Sequence, residues 1–412
     1  MSFFLKKYLY KPVFGLSFAL ISTIIFSILF TKIIPNFIFK EINFYILFII
    51  GIFIYCLLLE VIFLILYYLK NKRFYTHPPK VKFDKIPYKG HPYIPYVLKE
   101  NNESYPAIIS EYPLHKGKYR FSLQKSNNLG FMNGINGDRD VVIPKPRDII
   151  RINCIGSSTT QNYLTINNTN YSYPLELEKI LSKKFNKKIE VNNFGQGGYN
   201  SADILVRFLL QILDTDPDYV ILYQGYADVR SYLSANFKTD YSHSRTNLLE
   251  LYPKIKFSTY IPKMPFSFAN FLIHHWFSFN LRHSLMEVIH TQDINLKLDP
   301  SKGLDVFERN LQYIIDICKA RNIKLILSTY CDFLYDDVKN KEPFETYKKI
   351  TDKENEKIVK LSKKNNLTIV DNANLIPMSE KYFVDTIHFS HEGMTRLAQN
   401  FADAVIKMDE NH

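Results

Sequence analysis

Three short stretches, far apart along the chain, carry residue types suited to nucleophilic or anion chemistry. The first is Gly156-Ser157-Ser158-Thr159-Thr160. A small residue lets the chain turn sharply, and a hydroxyl at such a turn lies beside the free N–H groups of a following helix. Helix N-capping is the ordinary use of a serine there. The second is Asn193-Phe194-Gly195-Gln196-Gly197-Gly198-Tyr199-Asn200-Ser201. Its glycines allow backbone N–H groups to approach an anion closely. No Lys follows as a phosphate loop requires, and the spacing is not that of a dinucleotide-binding turn. The third is Asp385-Thr386-Ile387-His388. An acid three residues ahead of a His can orient the ring and stabilise its imidazolium form. The other ring nitrogen is then free to serve a hydroxyl nucleophile. A surface turn would use the same residues, and so would a metal site that added His391.

The first two stretches fall where strands end, and the third just before the last helix. Arg151 to Ile155 is a β-like run closing at Gly156, Ile189 to Phe194 a second, and Tyr219 to Tyr223 a continuous apolar run, as expected of a strand covered on both faces. Further strands are predicted at Ile323 to Thr329 and Leu367 to Val370. Helical periodicity fills the intervals: Tyr171 to Phe185, Ser201 to Leu213, Leu304 to Ala320, Asp352 to Lys364 and about Ser390 to Ile406. The helix from Leu304 places Leu304, Phe307, Leu311, Ile314, Ile315 and Cys318 on one face. This alternation specifies an α/β fold, a doubly wound parallel five-stranded sheet with right-handed crossovers. Such folds bind ligands at the carboxyl ends of their strands.

Ahead of that domain, Val13 to Phe30 is uncharged and Phe44 to Leu69 is apolar apart from Glu60. Each reaches the roughly 20 residues needed to cross a bilayer. No small-residue cleavage site separates them, so a two-span transmembrane hairpin over residues 1–70, turning near Pro35, is expected in place of a removable signal peptide. Lys6, Lys7 and Lys11 precede the first span; Lys70, Lys72, Arg73, Lys80 and Lys82 follow the second; only Lys40 lies in the turn, with Lys32 at its edge. That asymmetry predicts a multi-pass cell-membrane protein whose remaining residues face the cytoplasm. Glu60 is expected to reach the interface or to face Ser and Thr residues of the first span. Residues 71–147 read as a Pro- and Tyr-rich linker with lead-in strands, and residues 148–412 as the main domain. Within it, about 231–302 breaks the strand–helix rhythm, is dense in Tyr, Phe, His and Pro, and holds the chain's one Trp, Trp276. A lid or substrate-binding cap fits such an insertion, as does a packing subdomain.

Composition sets outer limits. With 412 residues, 46% hydrophobic and 22% charged, the chain can build a large core and is not a disordered type. The net charge of +12 comes without a basic–aromatic patch, zinc finger or RNP motif, so no nucleic-acid partner is implied. Membrane-proximal Lys can instead attract anionic lipid. Cys56, Cys154, Cys318 and Cys331 show no CxxC spacing and read as buried thiols.

Taken in order, the three stretches resemble the conserved blocks of the SGNH (GDSL-like) serine hydrolases, over about residues 148 to 408, with a lead-in from roughly His91 to Arg147 also similar to that of bacterial members. The resemblance implies a flavodoxin-like fold and Ser158 as nucleophile, from Gly156-Ser157-Ser158, with Asp385 and His388 as its partners. It implies an oxyanion hole from the N–H groups of Ser158 and Gly198, the glycine five residues after Asn193. The expected activity is ester or amide hydrolysis through an acyl-enzyme, or acyl transfer to a sugar, without metal or organic cofactor. The acyl-ester substrate is expected to be carbohydrate or lipid-linked. One departure stands out. The family's third block reads Gly-x-Asn-Asp, whereas this chain has Gly225-Tyr226-Ala227-Asp228. Ala227 has no amide to donate, a loss on the order of 3 kcal/mol unless replaced. Asn200, Gln224 and Arg230 are the candidate substitutes, and a weakened binding or assembly protein is the competing outcome.

Overall fold

The computed structural model describes residues 22, 24–29, 44–72, 74, 87–103, 113–115, 118, 120–121, 125–166, 169–243, 248–249, 266–269, 271, 294–336, 338 and 341–410. The chain divides into two compact units, residues 1–84 with 250–284, and residues 85–249 with 285–412.

The first unit is built on helix α1, Phe44–Asn71. Its stretch Ile46–Lys70 is the one helix among the described residues long and apolar enough to cross a bilayer. Of the first apolar run, only residues 22 and 24–29 are described; they are helical. Tyr55 of α1 donates its hydroxyl to Ser22 Oγ at 2.6 Å and stacks on Phe26 at 4.9 Å. The expected turn at Pro35 and most flanking Lys residues lie outside the described residues, so one helix of spanning length is shown and a hairpin is not. Among the described residues, Glu60 shows no hydrogen bond to Ser22 or Ser27 of the first run. Its carboxylate accepts the backbone N–H of Phe268 at 3.0 Å. Beside it, Phe266 packs on Phe53 and Phe271 on Phe63 and Tyr67. The described middle of the long insertion therefore belongs with α1. Trp276 lies outside the described residues.

The second unit is the α/β domain. Its strands are β1 Ile149–Gly156, β2 Lys188–Gly195, β3 Tyr219–Tyr223, β4 Lys324–Ser328 and β5 Thr368–Val370. They pair in parallel in the order β2-β1-β3-β4-β5. The order reverses between β1 and β3, the switch point where a doubly wound sheet opens a crevice. In chain order the helices are α2 Ser158–Gln161, α3 Tyr173–Leu181, α4 Ser201–Arg207, α5 Val229–Tyr232, α6 Ser301–Ala320, α7 Lys341–Asn365, α8 Asn372–Leu375 and α9 His391–Glu410. Helices α3 and α9 pack against each other, as do α4 with α6 and α6 with α7. Every residue of β3 is buried, as its unbroken apolar run requires, and α6 buries the stripe from Leu304 to Cys318.

Three expected helices differ. The one expected from Asp352 already begins at Lys341, giving 25 residues. The run from Tyr171 starts at Tyr173, because Thr169–Tyr171 pairs with Leu164–Ile166 as a small antiparallel strand. The run from Ser201 keeps α-geometry only to Arg207, then widens into a π-turn at Phe208–Ile212 and tightens to 3₁₀ at Leu213–Thr215.

The β1–β2 register aligns polar residues inside the sheet. Asn153 lies opposite Asn192 and Arg151 opposite Glu190. The carboxamides form a chain: Asn133 from the lead-in donates to Asn192 at 2.8 Å, Asn192 to Asn153 at 3.2 Å, and Asn153 to Thr215 at 2.8 Å. Arg139, also from the lead-in, grips Glu178 of α3 with one nitrogen at 2.7 and 2.8 Å. Arg151 is fully buried and donates to Glu190 at 2.7 Å. A buried charge left without its partner is costly, whereas replacing both ions by apolar groups is often neutral. Glu190→Ala should destabilise the protein by about 3–5 kcal/mol, and Arg151→Met/Glu190→Met should recover most of that loss in urea denaturation.

Candidate active site

Close packing fixes the turn after β1. A Cβ on Gly156 would lie 2.3 Å from both Thr160 Oγ1 and the Tyr223 carbonyl oxygen, and one on Gly195 would lie 2.2 Å from the Gln161 nitrogen. The ends of β1, β2 and β3 are thus drawn together around α2 by residues without side chains. The chain leaves β1 through Ser157, and α2 opens at Ser158, whose side chain is half-buried.

Ser158 Oγ lies 2.9 Å from His388 Nε2, and His388 Nδ1 lies 2.7 Å from Asp385 Oδ2. The other Asp385 oxygen accepts the backbone N–H groups of Ile387 at 2.9 Å and His388 at 2.7 Å, which locks the carboxylate against its own turn. Since Asp385 can only accept when ionised, Nδ1 carries the proton and Nε2 is left to accept from the Ser158 hydroxyl. Burial disfavours the ionised form of Asp385, but the charge and hydrogen bonds of His388 outweigh it and hold the carboxyl below its usual range. Burial likewise disfavours an imidazolium, yet Asp385 raises His388 above its ordinary value.

The loop bearing Asp385 and His388 is clamped from three directions. Val384 accepts from the backbone N–H of Leu114 in the lead-in at 3.0 Å, and Thr386 from that of Phe333 at 2.8 Å. Asn162, just past α2, donates to the Phe389 carbonyl at 3.3 Å. Inside the loop, Val384 N–H donates to the His388 carbonyl at 2.8 Å. His391 packs its ring against Tyr171, with the centroids 4.1 Å apart and the planes tilted by 56°. Among the described residues, no group of three or more His, Cys, Asp or Glu side chains is arranged to hold a metal ion.

The backbone of the glycine loop after β2 is held by Asn193 from within and by Gln161, Gly156 and Tyr96 from outside. Asn193 Oδ1 accepts from Gly195 N–H at 3.0 Å, Gln161 Oε1 from Gly197 N–H at 2.7 Å, and Gly156 from Gln196 N–H at 3.1 Å. Tyr96 donates its hydroxyl to the Gly197 carbonyl. Gly198 adopts φ +77, a left-handed conformation that favours glycine. The N–H groups of Ser158 and Gly198 make no hydrogen bond to the protein among the described residues.

Ala227 is half-buried and Asp228 beside it fully buried. Asp228 accepts from the N–H and hydroxyl of Ser201 at 3.0 and 2.7 Å, from Gln224 Nε2 at 2.7 Å and from Tyr241 at 2.8 Å. Burial raises its pKa, opposed by these donors. Gln224 commits its other amide hydrogen to the Tyr199 carbonyl at 3.3 Å. Arg230 is exposed on α5. Asn200 caps α4, its Oδ1 accepting from Ala202 and Asp203 N–H at 3.1 Å, while its buried Nδ2 has no hydrogen-bond partner. Sequence reasoning missed Gln161, Asn162, Tyr96 and Tyr241, which position these groups without touching the Ser158–His388 pair. Only Gln161 and Asn162 carried a signal, their place directly after the serine turn.

Residues 154–396 match the profile of the GDSL-like lipase/acylhydrolase family. Among curated proteins no match is found. Similar solved structures include a lipase/acylhydrolase from Enterococcus faecalis, 15% identical over 62% of this chain and 95% of its own, with a TM-score of 0.39. An acetylxylan esterase from Geobacillus stearothermophilus is 15% identical over 62% and 94%, with a TM-score of 0.38. A GDSL-like lipase from Bacteroides thetaiotaomicron is 15% identical over 63% and 88%, with a TM-score of 0.36.

For any reaction that draws on the Ser158–His388 pair, the imidazole must be neutral to take a proton. Its raised pKa therefore places the acidic limb of the pH–rate profile above pH 6.5, with activity rising as pH rises through it. Asp385→Asn removes the charge that raises it, so the limb should move to lower pH while kcat falls by about 10⁴. A limb that stays in place would remove His388 from the rate-determining proton transfer.

Proposed function

Because this chain belongs to the GDSL-like lipase/acylhydrolase family, we propose that it is a serine esterase that removes O-acyl groups through an acyl-enzyme on Ser158. The observation that carries this reading is the hydrogen-bonded row from Ser158 through His388 to Asp385, at 2.9 and 2.7 Å.

Ser158 Oγ attacks the ester carbonyl while His388 Nε2 takes its proton, and Asp385 stabilises the imidazolium. The N–H groups of Ser158 and Gly198, free of protein acceptors, receive the oxyanion of the tetrahedral intermediate. Collapse breaks the ester bond, and His388 returns the proton to the leaving alcohol. A water, deprotonated by His388, then releases the acyl group as a carboxylate and restores Ser158. A sugar or lipid hydroxyl in place of that water makes the same site an O-acyltransferase. The acyl ester is proposed to sit on a carbohydrate or lipid-linked alcohol, a reading supported by α1, whose length and apolar character suit a bilayer.

Ala227 leaves a third oxyanion donor to be found. Gln224 spends both amide hydrogens on Asp228 and Tyr199, and Arg230 is exposed on α5. Asn200 Nδ2 is buried without a hydrogen-bond partner, so it is assigned the role. The competing reading, a weakened binding or assembly protein, rests on Ala227 alone.

We also propose that α1 is the second span of a membrane hairpin whose ends, with the α/β domain that follows, face the cytoplasm. Reporter fusions after residues 38 and 75 report the two sides.

A fluorophosphonate should label Ser158 in the folded chain, and Ser158→Ala should abolish labelling and lower kcat by about 10⁶. Unlabelled, folded protein would favour the binding-protein reading. Asn200→Ser keeps a capping oxygen and removes the amide. It should leave stability within a few tenths of a kcal/mol and lower kcat by about a hundredfold; an unchanged kcat would take Asn200 out of the hole.

A further inference from the structure

The insertion that follows α5 has the composition of a lid, yet its described middle, residues 266–269 and 271, is packed on α1. Phe266, Phe268 and Phe271 meet a single stripe of that helix, formed by Phe53, Glu60, Phe63 and Tyr67. Those positions recur at intervals of seven, three and four residues, so they share one face. Tyr55, which holds Ser22 and Phe26, lies about 140° around the helix from Glu60.

Glu60 is the telling residue. The apolar stretch Ile46–Lys70 has residue 58 at its middle, which puts Glu60 about 3 Å from the centre. At that depth a carboxyl group has no water, and neither does a backbone N–H in the first turn of a helical segment, where Phe268 lies; each is costly unless satisfied inside the protein. The 3.0 Å bond from Phe268 N–H to Glu60 Oε2 satisfies both at once. The surrounding side chains are aromatic on one flank. On the others they are exposed aliphatics such as Ile49, Leu58, Val61, Ile62 and Leu66, a surface suited to acyl chains.

From this we infer that the Phe266–Phe271 segment is a membrane-embedded element, held by Glu60 against α1 inside the acyl-chain layer of a bilayer. The inference rests on the proposed membrane span of α1 and goes beyond it: a second, discontinuous part of the chain contacts lipid, and an acid within the span is its anchor.

The test uses the full chain, reconstituted into phosphatidylcholine vesicles with or without brominated acyl chains. Trp276→Phe removes the natural fluorophore, and Phe268→Trp or Leu58→Trp introduces a new one. Both reporters should emit to the blue of a water-exposed tryptophan and lose most of their emission in brominated vesicles. Quenching at Leu58→Trp, with Phe268→Trp left bright and accessible to iodide, would overturn the inference while leaving the span in place. Quenching at neither position would overturn the span itself, and quenching at Phe268→Trp alone would refute joint burial. Adding Glu60→Leu should release Phe268→Trp from lipid quenching, and Glu60→Gln, which keeps an acceptor oxygen, should not. Equal quenching in both would remove Glu60 as the anchor. Should the tryptophan variants fail to insert, an oxidative cross-link between Phe63→Cys and Phe271→Cys, in a Cys56→Ser background, tests the same contact, and its absence in membranes would refute it.

Discussion

A hydroxyl and an imidazole that lie 230 residues apart in the chain are brought within 2.9 Å of each other, and much of the α/β unit can be understood as what that contact requires. Two hydrogen-bonded loops at the ends of different elements meet productively only if neither can drift. The serine turn is fixed by exclusion, since glycines at 156 and 195 let backbone and side chains approach where a Cβ could not fit. The histidine loop is fixed by attachment, through Leu114, Phe333 and Asn162 from three separate parts of the chain. Preorganisation of this kind lets a hydrogen-bonded row act without rearranging at the moment of reaction.

The same logic extends outward as a set of buried polar groups. Asp228 gathers Ser201, Gln224 and Tyr241, so the β3 end, the start of α4 and the limb leading into the insertion share one carboxylate. Glu354, fully buried on α7, accepts from Tyr232 at 2.8 Å, and burial pushes its pKa well above the usual carboxylate range. Such groups contribute less to net stability than to defining a single arrangement, because every alternative leaves a desolvated donor or acceptor unmatched.

The sheet was legible in the sequence because strands covered on both faces are read as apolar runs; Tyr219–Tyr223 needed nothing else. The first two chemical stretches were legible because each lies where a strand stops, and the third because it runs into the last helix. Helix ends were less so. The π-turn at Phe208–Ile212 follows from tertiary packing, and the small strand at Thr169–Tyr171 depends on a partner that periodicity cannot show. The carboxamide chain through Asn133, Asn192 and Asn153 was invisible, since an isolated Asn in a strand carries no sign of what it will face. The insertion stayed ambiguous in the sequence for a physical reason: aromatic density suits a cover over a cleft and a partner for an apolar helix equally well, and its described middle packs on α1.

The lead-in bears on where this domain can be cut. The family profile begins at residue 154, but Asn133 and Arg139 satisfy β2 and α3, Tyr96 holds the glycine loop, and Leu114 holds the histidine loop. A fragment trimmed to the profile would open polar cavities on the β2 side and free the very segment that carries the imidazole. The compact unit that holds the imidazole is therefore larger than the stretch the family profile matches, and it begins at residue 85.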